Sequence, residues 1–586
     1  MSIVKRTGIE KGYYGTYHTD KDGNETFVRA GKKITIKFVQ YDLDTNLVTL
    51  ILEFEYLGKK KTVPVSRDVF TDPSLIKTLS GAGADISRKT YDIAIDSLRL
   101  QEKWLEKNNY TPINVYNNLG WLRINTPLGA KACFRSYRLI GDSGTYTGDY
   151  KIAPMGSFKD WRQMVIDDVL GDTVAELTLI AALSAVIVTI VTPVNDPGNP
   201  ILHLYGISGC GKSTDLELAT SVGGEPFGGN KIVTNSNGSL QAIHSLYRSW
   251  GATENALVGS CAGNNGYPII LNELGKSQSK DLSTVVYDLS EGTDKTRYSK
   301  NMQVMQSQGY ATSFISSGEH SLLDRCSDKS DGLQVRVLEL EMVKTPGGAK
   351  RADRIKRVCK KNNGHAIPML AQHISGVGFQ KVQELFKKNY EESIEMWTPS
   401  PSYERFVSKF VALYLTTADL ASQALGIPFN KEAIRDFLME YDKKNGAKRN
   451  SALSSYDTLI QEFNMNRSKF VCGDSAPKTE CWGKITKENK KITEKKQLVE
   501  RFLVYKEVVN KLLEKHGYKN YSTCYKEWKT AGLIDFDKGK HMRKRTIHPT
   551  STAKEYVFVF NVFDDPTILE HKDIYKETNL LEEEEK

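Results

Sequence analysis

One stretch constrains this chain more than any other: Ile201 to Thr214, reading ILHLYGISGCGKST. An apolar run through Ile201, Leu202 and Leu204 leads into Gly206-x-x-x-x-Gly211-Lys212-Ser213, the Walker A spacing. That spacing works only as strand, glycine loop and helix in succession, and the flanking residues predict all three, the helix running from Thr214 to Val222. The glycines let backbone N–H groups turn inward around phosphates. The helix start adds the positive end of its dipole. Gly206, Ser208, Gly209, Cys210, Gly211 and Thr214 are therefore the expected loop contacts, with Cys210 filling space. Lys212 is placed to reach the β- and γ-phosphates, and the Ser213 hydroxyl to ligate Mg²⁺. The expected ligands are ATP and Mg²⁺.

A second landmark is Tyr267-Pro-Ile-Ile-Leu-Asn-Glu-Leu274. An apolar strand ending in Asn272 and Glu273 has the form of Walker B. Glu273 stands where a carboxylate polarises the attacking water. Asn272 keeps an oxygen for the metal but lacks the charge of the usual aspartate.

The chain has 586 residues, so several domains are expected rather than one core. Residues 1–150 read as a mixed α+β domain. Strands are expected over Lys33–Val39 and Leu47–Tyr56, a helix over Ser87–Asn109, and a second β-like patch from Thr111 to Tyr150. Its aromatics Tyr110, Tyr116, Trp121 and Phe134 suit a core better than a stacking surface. Residues 151–375 alternate helix and strand, which implies a covered, largely parallel sheet. Within them Leu240–Trp250 reads as a helix and Leu333–Glu341 as a strand. Residues 376–455 form a helical connector. Residues 456–586 read as a winged-helix-like DNA-binding domain with an acidic tail: helices over Leu498–His516 and Thr523–Ala531, then a basic hairpin. A lysine-rich segment, Lys484–Lys496, is expected as a solvated boundary ahead of it.

Net charge is +9, a mild basic excess that permits nucleic acid without demanding it. The eight cysteines lack zinc spacing and read as reduced thiols of a cytoplasmic protein. No signal peptide is expected. The apolar run Leu177–Val191 is shorter than the ~20 residues a bilayer requires and is expected as a buried core helix, with no membrane partner.

A strand ending in polar residues between Walker B and a later arginine marks the AAA+ class. Ser316 or Ser317 is the sensor candidate, and Arg336 the candidate arginine finger, acting on a neighbour's nucleotide and so requiring a ring. Arg325 is the alternative finger, and Arg354 and Arg357 are weaker candidates for a phosphate contact from a lid. Lys295, Arg297 and Lys300 cluster where helicases of this class carry a pore hairpin, a place to grip a phosphate backbone. In the C-terminal domain Lys526 and Lys529 on the second helix, and Lys538, Lys540, Arg543, Lys544 and Arg545 on the wing, are the candidate contacts to duplex DNA.

Trp250-Gly-Ala-Thr-Glu-Asn255, the Walker B strand, Gly292-x-x-Lys295-x-Arg297, Ser316-Ser-Gly-Glu319 and Gly332-Leu-Gln-Val-Arg336 together resemble the MCM-like AAA+ helicases of staphylococcal mobile elements. These are the Rep initiators of pathogenicity islands and the helicases of cassette chromosome elements. The resemblance implies a homo-hexamer with single-stranded DNA in its pore. It also implies ATP-driven unwinding and, for the island initiators, origin duplex recognised by the C-terminal region. Asn272 departs from the family's usual aspartate. Two rivals share the core: an ATPase that remodels or loads protein partners, and a scaffold with a degenerate nucleotide site.

Overall fold

The computed structural model describes the chain from Lys5 to Val562, apart from short stretches at 73, 75, 127–128, 228–229, 235–239, 293–296, 299–303, 306–308, 329–330, 344–346, 397–402, 450, 474, 479, 493–494 and 519–520. Around the glycine loop lies a sheet of five parallel strands, in the order Tyr247–Ser249, Ile269–Asn272, Phe314–Gly318, Ile201–Tyr205, Val337–Glu341. Successive residues of a strand face opposite sides, and here they enter different cores. Leu202, Leu204, Ile270, Ile315, Leu338 and Leu340 join one. Ile201, Ile269, Leu271, Phe314 and Val337 join another, with Trp250. Both faces are covered, which is why these strands read as unbroken apolar runs.

The expected core helix spans Thr173–Val191, capped by the Asp172 side chain on the Ala175 N–H. Its apolar window is 89% buried inside the molecule, against the helix after the glycine loop and helices Phe379–Met396 and Leu413–Leu425. Protein, not lipid, covers this surface.

The N-terminal strands and helix form as expected, at Thr35–Asp42, Val48–Tyr56 and Tyr91–Lys107, around a core of their own that includes Tyr14, Leu50, Leu52 and Leu98. The second β patch behaves differently. Leu119–Thr126 pairs with Gly129–Arg135, and its Leu119, Trp121 and Phe134 enter the large central core. Trp121 donates its indole N–H to the Val186 carbonyl at 2.7 Å. Tyr116 is also buried, and the partly buried Tyr110 packs against the N-terminal core.

The two regions meet where Asn264–Asn265 pairs with Leu119–Gly120. Gly120 has φ +80°, and a Cβ there would lie 1.9 Å from the Asn265 carbonyl oxygen, so only glycine fits. Beside it the Arg135 guanidinium pairs with Asp44, their side chains 6% and 5% exposed, while Asp44 also accepts from the N–H groups of Asn117 and Asn118. Asp44→Ala leaves that guanidinium buried without a counter-charge. The expected cost is about 3–5 kcal/mol, read as a lower urea midpoint in chemical denaturation.

The C-terminal region holds a six-stranded sheet with helices Ser451–Met465, Lys506–Lys515 and Tyr521–Thr530 packed on it through Tyr456, Phe463, Trp528, Phe558 and Phe560. Strand Arg543–Arg545 pairs with Glu555–Val562, giving the expected basic wing. The acidic tail, 582–585, lies outside the described residues.

Two expectations are corrected. Leu240–Trp250 is not a helix but two strands, Leu240–His244 and Tyr247–Ser249. Its apolar residues Ile243, Leu246, Tyr247 and Trp250 fall at helical spacing, yet Tyr247–Ser249 gains more by pairing with Ile270–Asn272 at the sheet edge. The lysine-rich boundary and the start of the helix after it are instead a hairpin, Gly483–Ile492 with Lys495–Tyr505, and helix begins only at Lys506. Phe502 and Val504 face one core and Leu503 another, so a strand buried on both sides mimicked an apolar helix. The reading of Leu333–Glu341 shortens: a helical turn, Asp331–Gln334, precedes a strand that begins at Val337.

Candidate functional site

The glycine loop has the backbone its sequence requires. Gly206, Gly209 and Gly211 take φ values of +142°, +82° and +106°. A Cβ on Gly206 would lie 2.4 Å from the Met342 carbonyl oxygen, whereas Gly209 faces open space. Helix Lys212–Ser221 starts at the loop's end. The Lys212 ammonium donates to the carbonyls of Gly206 at 2.7 Å and Ile207 at 2.8 Å, so its charge sits inside the loop. Cys210 is buried beneath, in the central core, and its sulfur accepts from the Lys212 ammonium at 3.5 Å. Ser208, Gly209, Gly211, Lys212, Ser213 and Thr214 line a cavity of about 630 Å³.

Glu273 lines the same cavity. It has φ +64°, a left-handed conformation that costs a non-glycine residue about 1–3 kcal/mol. Its neighbour Asn272 ends the strand, and the Asn272 side-chain oxygen accepts from the Ser317 hydroxyl at 3.1 Å. The two serines therefore differ. Ser317 lies on the face of the P-loop helix, beside Asn272. Ser316 points into the opposite core, where its hydroxyl meets His203 Nδ1 and the Trp250 indole N–H, each at 2.9 Å. Burial holds the His203 imidazole down at about 4, so the ring is neutral. Its Nε2 donates to the His320 carbonyl at 3.0 Å, leaving Nδ1 to accept from Ser316. Ser316 is thus fully occupied away from the cavity.

Helix Gly348–Lys361 closes the cavity with Ala349, Ala352, Asp353 and Lys356, residues one helical face apart. Glu319 adds a carboxylate from the end of its strand. Sequence reasoning missed Glu319, Asp353 and Lys356; the signal for the helix residues was the 3–4 spacing counted from the helix start. Arg354 does not point there: it pairs with Asp167 at 2.8 Å and Asp168 at 3.1 Å. Arg357 is exposed and does not line the cavity.

Arg336 sits at the opposite end of the sheet, just before strand Val337–Glu341. Its guanidinium lies 4.6 Å over the Tyr287 ring, donates to the Gly332 carbonyl and pairs with Glu291 at 3.3 Å. Arg325 lies at the P-loop end, but it donates to the carbonyls of Ser277 at 3.5 Å and Ser279 at 2.5 Å, holding the loop after Glu273.

Among the nucleic-acid candidates, Lys295 and Lys300 lie outside the described residues, and Arg297 is described only as part of a short strand pairing with Val304–Met305. On the C-terminal domain Lys526, Lys538, Lys540 and Lys544 are exposed. Lys540 and Lys544 flank the exposed Tyr556 ring, 4.0 and 5.2 Å from its centroid, and Lys529 stands 4.0 Å over Phe536. Arg545 is half-buried and donates to the Lys544 carbonyl at 3.0 Å. Arg543 differs, since Asp537 at 3.5 Å and the buried Asp535 at 3.8 Å hold it to the domain. Asp535 also pairs with Arg501 at 2.6 Å.

A family model described as a domain of unknown function, DUF927, matches residues 3–308. A second model, described as the Cch helix turn helix domain, matches residues 451–565. No curated protein matches the chain. Among solved structures, the chain is similar to one described as SCCmec type IV Cch, an active helicase, with a TM-score of 0.72 and 23% identity over 97% of this chain and 98% of that one. At this identity the likeness speaks for the shared fold.

Proposed function

We propose that this chain, which belongs to the DUF927 family, is an ATP-driven DNA helicase of the AAA+ class. In this reading it works in the cytoplasm as a hexameric ring and initiates replication of a mobile element. The observation that carries the reading is one cavity holding the glycine loop, Lys212, Ser213, Glu273 and the lid residue Lys356 together. The helix-turn-helix match at the C-terminus and the fold shared with a helicase support it.

The loop amides and Lys212 bind the triphosphate. Lys356 meets the same anion from the lid, a role in which Arg354 and Arg357 are replaced. Glu273 accepts the proton of the attacking water. Ser317 is the sensor, because it alone of the two serines bonds to the Walker B end, through Asn272 and the Glu273 N–H, although neither serine lines the cavity itself. Among the described residues no cluster of His, Cys, Asp or Glu is placed to hold a metal unaided. Mg²⁺ shared with phosphate oxygens would be held by Ser213, which lines the cavity, and by Asn272, which ends the strand next to Glu273 and does not line it. An amide oxygen has two lone pairs, so Asn272 keeps one beside its bond to Ser317. When bound, the ion neutralises charge on the β- and γ-phosphates. Arg336 acts in trans. Lys295, Arg297 and Lys300 grip one strand in the pore. Lys526, Lys529, Lys538, Lys540, Lys544 and Arg545 contact origin duplex, with Arg543 bracing the wing.

Strand separation on forked DNA tests the function. Wild-type protein with ATP is expected to release the labelled strand, and Glu273→Gln to bind nucleotide without releasing it. ATP turnover without strand separation would identify a protein remodeller instead. The serine assignment has its own test. Ser317→Ala is expected to lower kcat on the order of 10²-fold. Ser316→Ala is expected to cost about 1–3 kcal/mol of stability by leaving His203 Nδ1 and the Trp250 indole N–H unpaired, with kcat changed far less. Equal kcat losses in the two variants would remove the assignment.

A further inference from the structure

A second cavity, about 510 Å³, opens at the end of the sheet opposite the P-loop. Its wall includes Gly198 and Asn199, Tyr310 and Ala311, and Val335 and Arg336, the residues that lead into three neighbouring strands. Its floor comes from Ser408 and Lys409, within a π-helical turn, Val407–Ala412. Such turns cost regular hydrogen bonding and recur at functional sites.

The floor is chemically unusual. Lys409 is 7% exposed and its ammonium donates to the Ser290 hydroxyl at 2.9 Å. An ammonium has three protons to donate, and among the described residues Lys409 makes no ion pair. Burial, with Arg336 adding to it, pulls this amine down to about 7. Beside it the Ser408 hydroxyl is buried with no hydrogen-bond partner. Carboxylates of Asp196, Glu291 and Glu404 stand at the exposed rim, with Arg336 already holding Glu291. A buried, unpaired cation next to an unpaired hydroxyl is costly unless an anion completes it.

We propose that this cavity is an oxyanion site that takes a phosphate group, held by Lys409, Arg336 and the Ser408 hydroxyl. The phosphate comes from the backbone of single-stranded DNA or from nucleotide on a neighbouring protomer. The choice of source rests on the helicase reading; the site itself rests on the residues just described. Helix Ser283–Glu291 supplies Ser290 and Glu291 to this cavity, and in sequence it comes a few residues before Arg297, one of the proposed pore contacts.

Crystals of the full chain soaked in sodium tungstate, a phosphate mimic with strong anomalous scattering, test the site. Two peaks are expected, one on the glycine loop and one about 4 Å from Lys409 Nζ, a hydrogen bond plus the metal–oxygen bond away. The loop peak is the control: its loss alone would count against the nucleotide site, not this one. A loop peak with an empty second cavity overturns the proposal. Lys409→Met is expected to lose the second peak only, and Ser408→Ala to weaken it. The source is read from Lys409→Met in solution. A loss of about tenfold in affinity for oligothymidylate, with a shallower salt dependence, assigns DNA. A similar loss in ATP turnover at unchanged DNA affinity assigns the neighbour's nucleotide. Both affinity and turnover unchanged would mean an adventitious ion only, and would overturn the proposal.

Discussion

Lys212→Ala is expected to lower ATP turnover by about 10²–10³-fold and to weaken nucleotide binding, with the fold intact. The backbone of the loop is set by glycines at φ +142°, +82° and +106°, not by the lysine. The lysine supplies charge: its ammonium lies within 2.8 Å of two loop carbonyls. A triphosphate brought there replaces neutral carbonyl acceptors with anionic oxygens, so that both partners of each bond carry charge. As negative charge redistributes on the γ-phosphoryl, a fixed cation gains further, and its removal costs about 2.7–4 kcal/mol of barrier. Lys212 is half-buried and the carbonyls it leaves can be reached by water, so the stability change is expected within about 1 kcal/mol. Phosphate release gives turnover, a fluorescent nucleotide gives affinity, and thermal unfolding gives the control. Turnover within threefold of the parent would remove the loop from the chemistry.

What the sequence disclosed about this site was local. The Walker A motif is a contiguous strand, loop and helix, so Gly206, Lys212 and Ser213 could be placed from spacing alone. Helix Thr173–Val191 was visible because every turn of it is apolar. What stayed hidden depends on parts of the chain far apart in number. Ser316 and Ser317 could not be told apart, because a strand buried on both faces is apolar at both parities, and only the two cores phase it. Lys356 and Asp353 acquire meaning from a helix that folds back over the loop some hundred and forty positions later, roughly the separation that long-range packing alone decides. Arg354 was the wrong basic residue by two positions, just over half a turn out of phase, and Asp167 and Asp168 claim it. The hairpin Gly483–Tyr505 was masked by lysine in one strand and by continuous apolar residues in the other. Lys409 gave no signal at all: a lysine in an apolar helix reads as an exposed interruption until burial is seen.

Arg336→Ala is expected to lower ATP turnover by about 10³–10⁵-fold while nucleotide affinity stays near that of the parent. Geometry within one protomer excludes a cis role. The P-loop follows the C-terminal end of strand Ile201–Tyr205, and Arg336 precedes the N-terminal end of strand Val337–Glu341, which runs parallel beside it with Ile201 opposite Val337. At ~3.3 Å per residue the sheet separates Arg336 from Gly206 by about 20 Å, beyond the reach of an arginine side chain. In the proposed ring, its contact with a triphosphate is then made in a neighbouring subunit. Meanwhile Tyr287, Gly332 and Glu291 hold the guanidinium at the protomer surface, 21% exposed. Mixing separates trans from cis. Arg336→Ala protomers keep Glu273, and Glu273→Gln protomers keep Arg336, so neither homogeneous preparation turns over. In an assembly mixed at equal ratio, random assortment gives about a quarter of the interfaces a working carboxylate facing a working arginine. Turnover is expected to recover toward that fraction. No recovery, with mixed assembly confirmed by pull-down of differently tagged protomers, would place the essential arginine elsewhere. Arg325 would not replace it unless freed from the carbonyls of Ser277 and Ser279.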